Sequence, residues 1–82
     1  MRKITQDSPV PGNLVRTYAG MENVYKKSTH HIEMFPQRVG YLRKGELALV
    51  LEYHLPLNTC KILTLDGSVG WVGYSGLVRV AG

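Results

Sequence analysis

The side chains in this chain that could do chemistry are few and scattered. His30-His31-x-Glu33 is the one close cluster of metal-ligating types, with His54 and Cys60 further along. A structural zinc site takes four ligands in two close pairs, and with only one close cluster the spacing predicts no metal centre. Cys60 sits in a strand-like run, where a thiol behaves as a small hydrophobe. Asp66 can be drawn into a triad with a histidine and a serine, but no nucleophile stands in a strained elbow. The turn formed with Gly67 explains Asp66 better. No glycine-rich phosphate loop exists either, because Gly70-Trp71-Val72-Gly73 lies in a strand rather than ahead of a helix. The sequence predicts a protein that is not an enzyme and carries no cofactor.

Binding chemistry is what remains. Lys26-Lys27 and Arg43-Lys44 are basic doublets that can meet phosphates, and Arg16 and Arg38 are isolated cations. Tyr18, Tyr25, Tyr41, Tyr53, Trp71 and Tyr74 can stack on bases or grip a proline-rich peptide. Trp71, inside Gly-Trp-Val, is expected against the core, whereas Tyr53 and Tyr74 stand at strand ends beside loops. The charge is uneven: residues 1–44 sum to +5 and residues 45–82 to −1, for a net +4. A basic half points to a polyanion or an acidic partner. The competing reading is a solvated surface that keeps a small protein in solution.

Short strands have to position these residues. Residues 1–13 read as an irregular lead-in, since Pro9 and Pro11 forbid a regular helix there. Leu14 to Tyr18 is a β-compatible run. Between Gly20 and Pro36 the chain makes a long excursion, with room for one short helix because Met21, Val24 and Tyr25 are spaced i, i+3, i+4. Val39, Tyr41 and Leu42 start a strand that ends in the turn Arg43-Lys44-Gly45. Glu46 to Tyr53 is the strongest strand, with Leu47, Leu49, Leu51 and Tyr53 on one face and Glu46, Ala48, Val50 and Glu52 on the other. His54 to Asn58 is a loop, because Pro56 cannot donate to a ladder. Thr59 to Leu65 and Ser68 to Gly73 form a hairpin through Asp66-Gly67. Gly73 to Gly76 makes a turn with 3₁₀ character, and Leu77 to Val80 is a last short strand. Leu49, Leu51, Ile62, Leu63 and Trp71 are expected in the core or in an oligomer contact.

Five or six short strands with tight turns and no βαβ alternation predict an all-β protein, a small antiparallel barrel. At 82 residues the chain has room for one domain, spanning 1–82. Such a domain has a small core and marginal stability. Its single cysteine excludes an intrachain disulfide, and its 44% of hydrophobic residues excludes a disordered chain. Leu47 to Leu51 is too short to cross a bilayer, and residues 1–30 hold no apolar block of the signal-peptide kind. No membrane association and a reducing, cytoplasmic compartment are therefore expected.

The stretch Val39 to Val80 resembles the second half of an SH3-like barrel, above all the bacterial SH3 domains. The resemblance rests on Leu42-Arg43-Lys44-Gly45-Glu46 and on Lys61-Ile62-Leu63-Thr64-Leu65-Asp66-Gly67-Ser68-Val69-Gly70-Trp71-Val72. The chain as a whole is also similar to the Sm-like RNA-binding proteins, in particular to small Sm-like proteins associated with cyanophages. That resemblance implies a homo-oligomeric ring that binds single-stranded RNA in the host cytoplasm. In Sm-like proteins a loop asparagine and a basic-Gly pair form the base pocket. Asn58 matches the first and Gly76 the second, with Ser75 where a basic residue is the rule. The expected nucleic-acid contacts are then Lys26, Lys27, Arg43, Lys44, Tyr53, His54, Asn58, Tyr74 and Gly76. The SH3 resemblance implies the alternative, a protein- or peptide-binding or virion-assembly module that does not bind nucleic acid.

Overall fold

The computed structural model describes residues 10–18 and 20–80, so most of the expected lead-in lies outside the described residues. Its strands are β1 (Leu14–Thr17), β2 (Glu22–Tyr25), β3 (Arg38–Leu42), β4 (Ala48–His54), β5 (Thr59–Thr64), β6 (Val69–Gly73) and β7 (Leu77–Arg79). Single 3₁₀ turns occur at His30–Ile32 and Tyr74–Gly76. The strands form one antiparallel sheet of seven, in the order β3-β2-β6-β5-β4-β1-β7, that curls into a half-barrel. This is the expected all-β architecture, and it is consistent with an SH3-like or Sm-like barrel.

β2 falls where a short helix had room. Its backbone pairs on both sides, with β3 through Tyr25↔Arg38 and with β6 through Tyr25↔Trp71. Two ladders satisfy more of the backbone than an isolated helical turn, which carries a nucleation cost with little propagation to offset it. Val24 then lies fully buried beneath the sheet.

Alternation selects the core: Val15, Val24, Leu42, Ala48, Val50, Cys60, Ile62, Val72 and Leu77 point inward. In β4 the inward residues are Ala48 and Val50, while Leu49 is half-buried and Leu51 exposed. The leucine face of that strand is therefore the outer one, and Leu63 joins it there between inward Ile62 and Thr64. A bulge between Val50 and Glu52 then shifts the phase, so that Tyr53 pairs with Cys60 and packs on the core. The interior is tightest where β2 and β6 meet. A Cβ on Gly70 would lie 2.6 Å from the Tyr25 carbonyl oxygen and 2.6 Å from Val24 Cγ1. Real Cβ atoms do not approach so closely, so the glycine lets the two strands come together there.

Trp71 also departs from expectation. With Gly70 and Val72 buried, alternation turns its ring outward, where it is half-buried and meets His54 edge-on at 6.5 Å. The Asp66-Gly67 hairpin forms as expected. Gly67 takes φ +86°, Thr64 N–H donates to Ser68 O at 2.9 Å, and Ser68 N–H donates to Asp66 Oδ1 at 3.1 Å.

Candidate functional site

The expected contact residues fall into three separate places. Tyr53, Asn58 and Tyr74 come together at the end of β4. The Tyr53 hydroxyl donates to Asn58 Oδ1 at 3.0 Å, the two tyrosine rings lie 5.4 Å apart, and Tyr74 N–H donates to Asn58 O at 2.9 Å. Asn58 holds the left-handed backbone, at φ +57°, that lets the 55–58 turn end there. Both rings are half-buried against the core, so this trio fastens the turn to the Tyr74–Gly76 helix. Gly76 ends that helix beneath the Glu22 carboxylate, which would have to swing aside for a Cβ. Ser75, where the Sm-like resemblance implies a basic residue, is exposed just before Gly76. His54 lies beside the trio, and its Nδ1 accepts from Leu57 N–H at 3.4 Å.

Arg43 and Lys44 occupy the exposed β3–β4 turn, where Arg43 N–H donates to Glu46 Oε1 at 2.8 Å. Arg43 lines a shallow cavity of about 150 Å³ together with Glu46 and Asp66, so acids share its surroundings. Asp66 is exposed. The Thr64 hydroxyl, and after it the Ser68 N–H, hold its carboxyl below the usual range, and it keeps its charge there.

The other doublet has different company. Lys26 and Lys27 line a cavity of about 190 Å³ with Glu33, Phe35 and Gln37, in the long loop between β2 and β3. Lys26 N–H donates to Gln37 O at 2.8 Å and closes the loop's neck. Lys27 Nζ reaches Glu33 Oε2 only at 3.9 Å, with the lysine side chain 66% exposed. A pair this loose and wet binds weakly, and Lys27 stays available to another anion. Phe35 is 87% exposed and faces the cavity's rim. His30 stacks on Tyr25 at 4.4 Å and 13°, while its backbone N–H donates to Lys27 O at 3.3 Å, which braces the loop from below. Partial burial lowers the His30 pKa, so the ring is neutral near pH 7. On β3 the Arg38 guanidinium lies 4.4 Å above the Tyr41 ring.

Sequence reasoning does not single out Phe35 and Gln37. They sit in Met34-Phe35-Pro36-Gln37, which has no period to set an aromatic apart as exposed. The usable signal is Phe next to Pro in a loop that starts with two lysines.

Among the described residues no group of three His, Cys, Asp or Glu side chains is placed to hold a metal ion. Burial pushes the Cys60 thiol up to about 12, which keeps it protonated and unreactive. No helix among the described residues is long and apolar enough to cross a membrane. No family model, curated protein or solved structure matches the chain.

Proposed function

We propose that this chain is a non-enzymatic barrel module that binds single-stranded nucleic acid, RNA in the first place, through the loop between β2 and β3. The observation that carries the reading is the cavity where Lys26 and Lys27 stand beside an almost fully exposed Phe35 ring. Binding a single strand takes cations for the phosphates and an aromatic face for a base, side by side. At about 190 Å³ the cavity is smaller than a typical small-molecule pocket, and it suits one phosphate or one base edge rather than an enclosed cofactor. Gln37 on the same wall supplies an amide for a base edge. Arg38 on Tyr41 extends the track along β3.

The Sm-like resemblance supports the same reading and adds a ring of subunits acting in the host cytoplasm of a cyanophage-type virus. The edges at β3 and β7, each paired on one side only in the sheet, are the places where strands of neighbouring subunits would join. A ring repeats each cationic loop around one face, so one strand can touch several. In the Sm-like family the base pocket centres on the loop asparagine. Here Asn58 is held by Tyr53 and Tyr74, which moves the proposed contact to the β2–β3 loop.

One observation favours the alternative, an SH3-type protein- or peptide-binding module. Tyr18 is exposed, and its N–H donates to Gly76 O at 2.8 Å, so its backbone is tied to the 3₁₀ turn that carries Tyr74. An aromatic shelf of that kind suits an extended peptide.

Fluorescence anisotropy with labelled uridine-rich and adenine-rich oligonucleotides across a salt series tests the first reading. The expected outcome is binding at low salt that weakens as salt rises. No binding at low salt, where attraction is strongest, would discard the nucleic acid and leave the peptide reading.

A further inference from the structure

Two exposed apolar features stand out on the molecule. One is the tip of the β2–β3 loop, where Ile32 is 68% and Met34 85% exposed. The other lies on the outer face of the sheet and comes from its register. Leu14 pairs with Leu49, Leu49 with Leu63, and Leu63 with Val69. The inward neighbours Val15, Ala48, Val50, Ile62, Thr64 and Gly70 are all buried, so these aliphatic side chains share the outer face. They run in direct register across β1, β4, β5 and β6, a span of roughly 14 Å at the usual strand spacing. Leu14 is 45% and Val69 44% exposed, and Leu49 and Leu63 are half-buried between them.

Single exposed aliphatic residues are ordinary, but an unbroken row of them on the solvent side of an antiparallel sheet marks a contact surface. Charge decides which partner each feature fits. The loop is flanked by Lys26, Lys27 and Arg38, against Glu33 alone. Two copies meeting there would bring like charges together. The row is flanked by both signs: Glu52 and Lys61 pair at 3.5 Å on the outer face along one side of it, and Arg16 stands on the other side, two residues from Leu14 on β1. A two-fold contact turns each patch onto itself, so the side of the row that carries one acid and one base is its own complement. Glu52 of one copy can then face Lys61 of the other.

We infer that the Leu14–Leu49–Leu63–Val69 row is a self-association surface, on which two copies of this chain stack sheet face to sheet face about a two-fold axis. The contact goes beyond the nucleic-acid reading and does not depend on it. It leaves the Lys26–Lys27–Phe35 loop open, and it also differs from joining strands at the β3 and β7 edges.

Light scattering on the full chain without nucleic acid, over ~1–200 µM, tests this inference at the concentrations where a contact of modest size assembles. The expected mass doubles over the range, from 9.2 kDa towards twice that value for single chains, or from the mass of the edge-joined ring towards twice that where the ring forms. L49T with L63T, which puts β-branched residues of good strand propensity in their place, should raise the dissociation constant at least tenfold. E52K, a surface change that leaves the core untouched, should also weaken the pair by setting Lys61 against a like charge. E52K with K61E should restore it. A monomer throughout the range, a mass unchanged by L49T with L63T, or E52K with K61E no tighter than E52K alone would each overturn the inference. The L49T with L63T protein should still bind the oligonucleotide, so loss of the pair and loss of nucleic-acid binding read out separately.

Discussion

Replacing Phe35 by alanine and, separately, Lys26 and Lys27 by alanine should weaken oligonucleotide binding in two distinguishable ways. Phe35 is almost fully exposed and both lysines are exposed, so neither change removes core packing. The lysine variant gives up the Lys27–Glu33 ion pair, which is long and wet, and surface pairs of that kind contribute ~1 kcal/mol or less. Melting temperatures should therefore stay close to wild type. Each phosphate that a single strand has neutralised by the protein adds about −0.7 to the slope of log K against log salt. Without two such cations the slope flattens by about 1.4, which over a rise from ~50 to ~200 mM salt amounts to about sevenfold in affinity. Stacking on one base is worth roughly 1–3 kcal/mol, or about 5- to 150-fold in affinity, with few counterions released. Phe35→Ala should thus lower affinity at every salt concentration and leave the slope unchanged. Glu33→Gln, which removes the one acid from the cavity wall, should tighten binding. Anisotropy titrations at four or more salt concentrations measure all of these. A lysine variant with the wild-type slope, or a Phe35→Ala protein with wild-type affinity, would refute the assignment of the site to this loop.

Three further outcomes follow from the packing. Ile62→Ala empties a fully buried position and should cost about 2–5 kcal/mol, a large part of the stability of so small a domain; urea denaturation measures it. Gly70→Ala should destabilise strongly, because the new Cβ meets the Tyr25 carbonyl, whereas Gly73→Ala, with nothing within 4 Å, should be tolerated in the same melt. Asp66 should titrate below an ordinary aspartate. With its folded pKa depressed, the contribution of the turn is present above the unfolded value and is lost as pH falls through the folded one. The difference in melting temperature between wild type and Asp66→Asn should accordingly shrink on acidification, and an Asp66 NMR titration at or above the free value would contradict the turn geometry.

The legible parts of the sequence were those whose signals are local. Asp66-Gly67 between two β-runs set the hairpin because a glycine there reaches positive φ without strain, and the structure holds Gly67 at +86°. Pro56 set the loop after β4, and Gly73 to Gly76 set the 3₁₀ turn. The pairs Tyr53 with Tyr74 and Lys26 with Lys27 were nameable as candidates from side-chain type alone. What surrounds them was not. Phe35 and Gln37 reach the lysines because the loop neck is tied at Lys26 and Gln37, a contact between residues with no common period.

The sequence by itself determined strand content, turn positions and the charge asymmetry, since each depends on neighbours within a few residues. It left open which face of each strand looks inward. Leu47, Leu49 and Leu51 carry the more apolar face of β4 by type, yet Ala48 and Val50 fill the core. Hydrophobicity ranks the two faces one way and volume the other. The pairing register decides, because it sets Val50 opposite Ile62 and Ile62 opposite Gly70, all on the buried face. Only the tertiary arrangement sets that register. It sends the leucines and Trp71 to the outer surface, and with them the row on which we place the contact between copies.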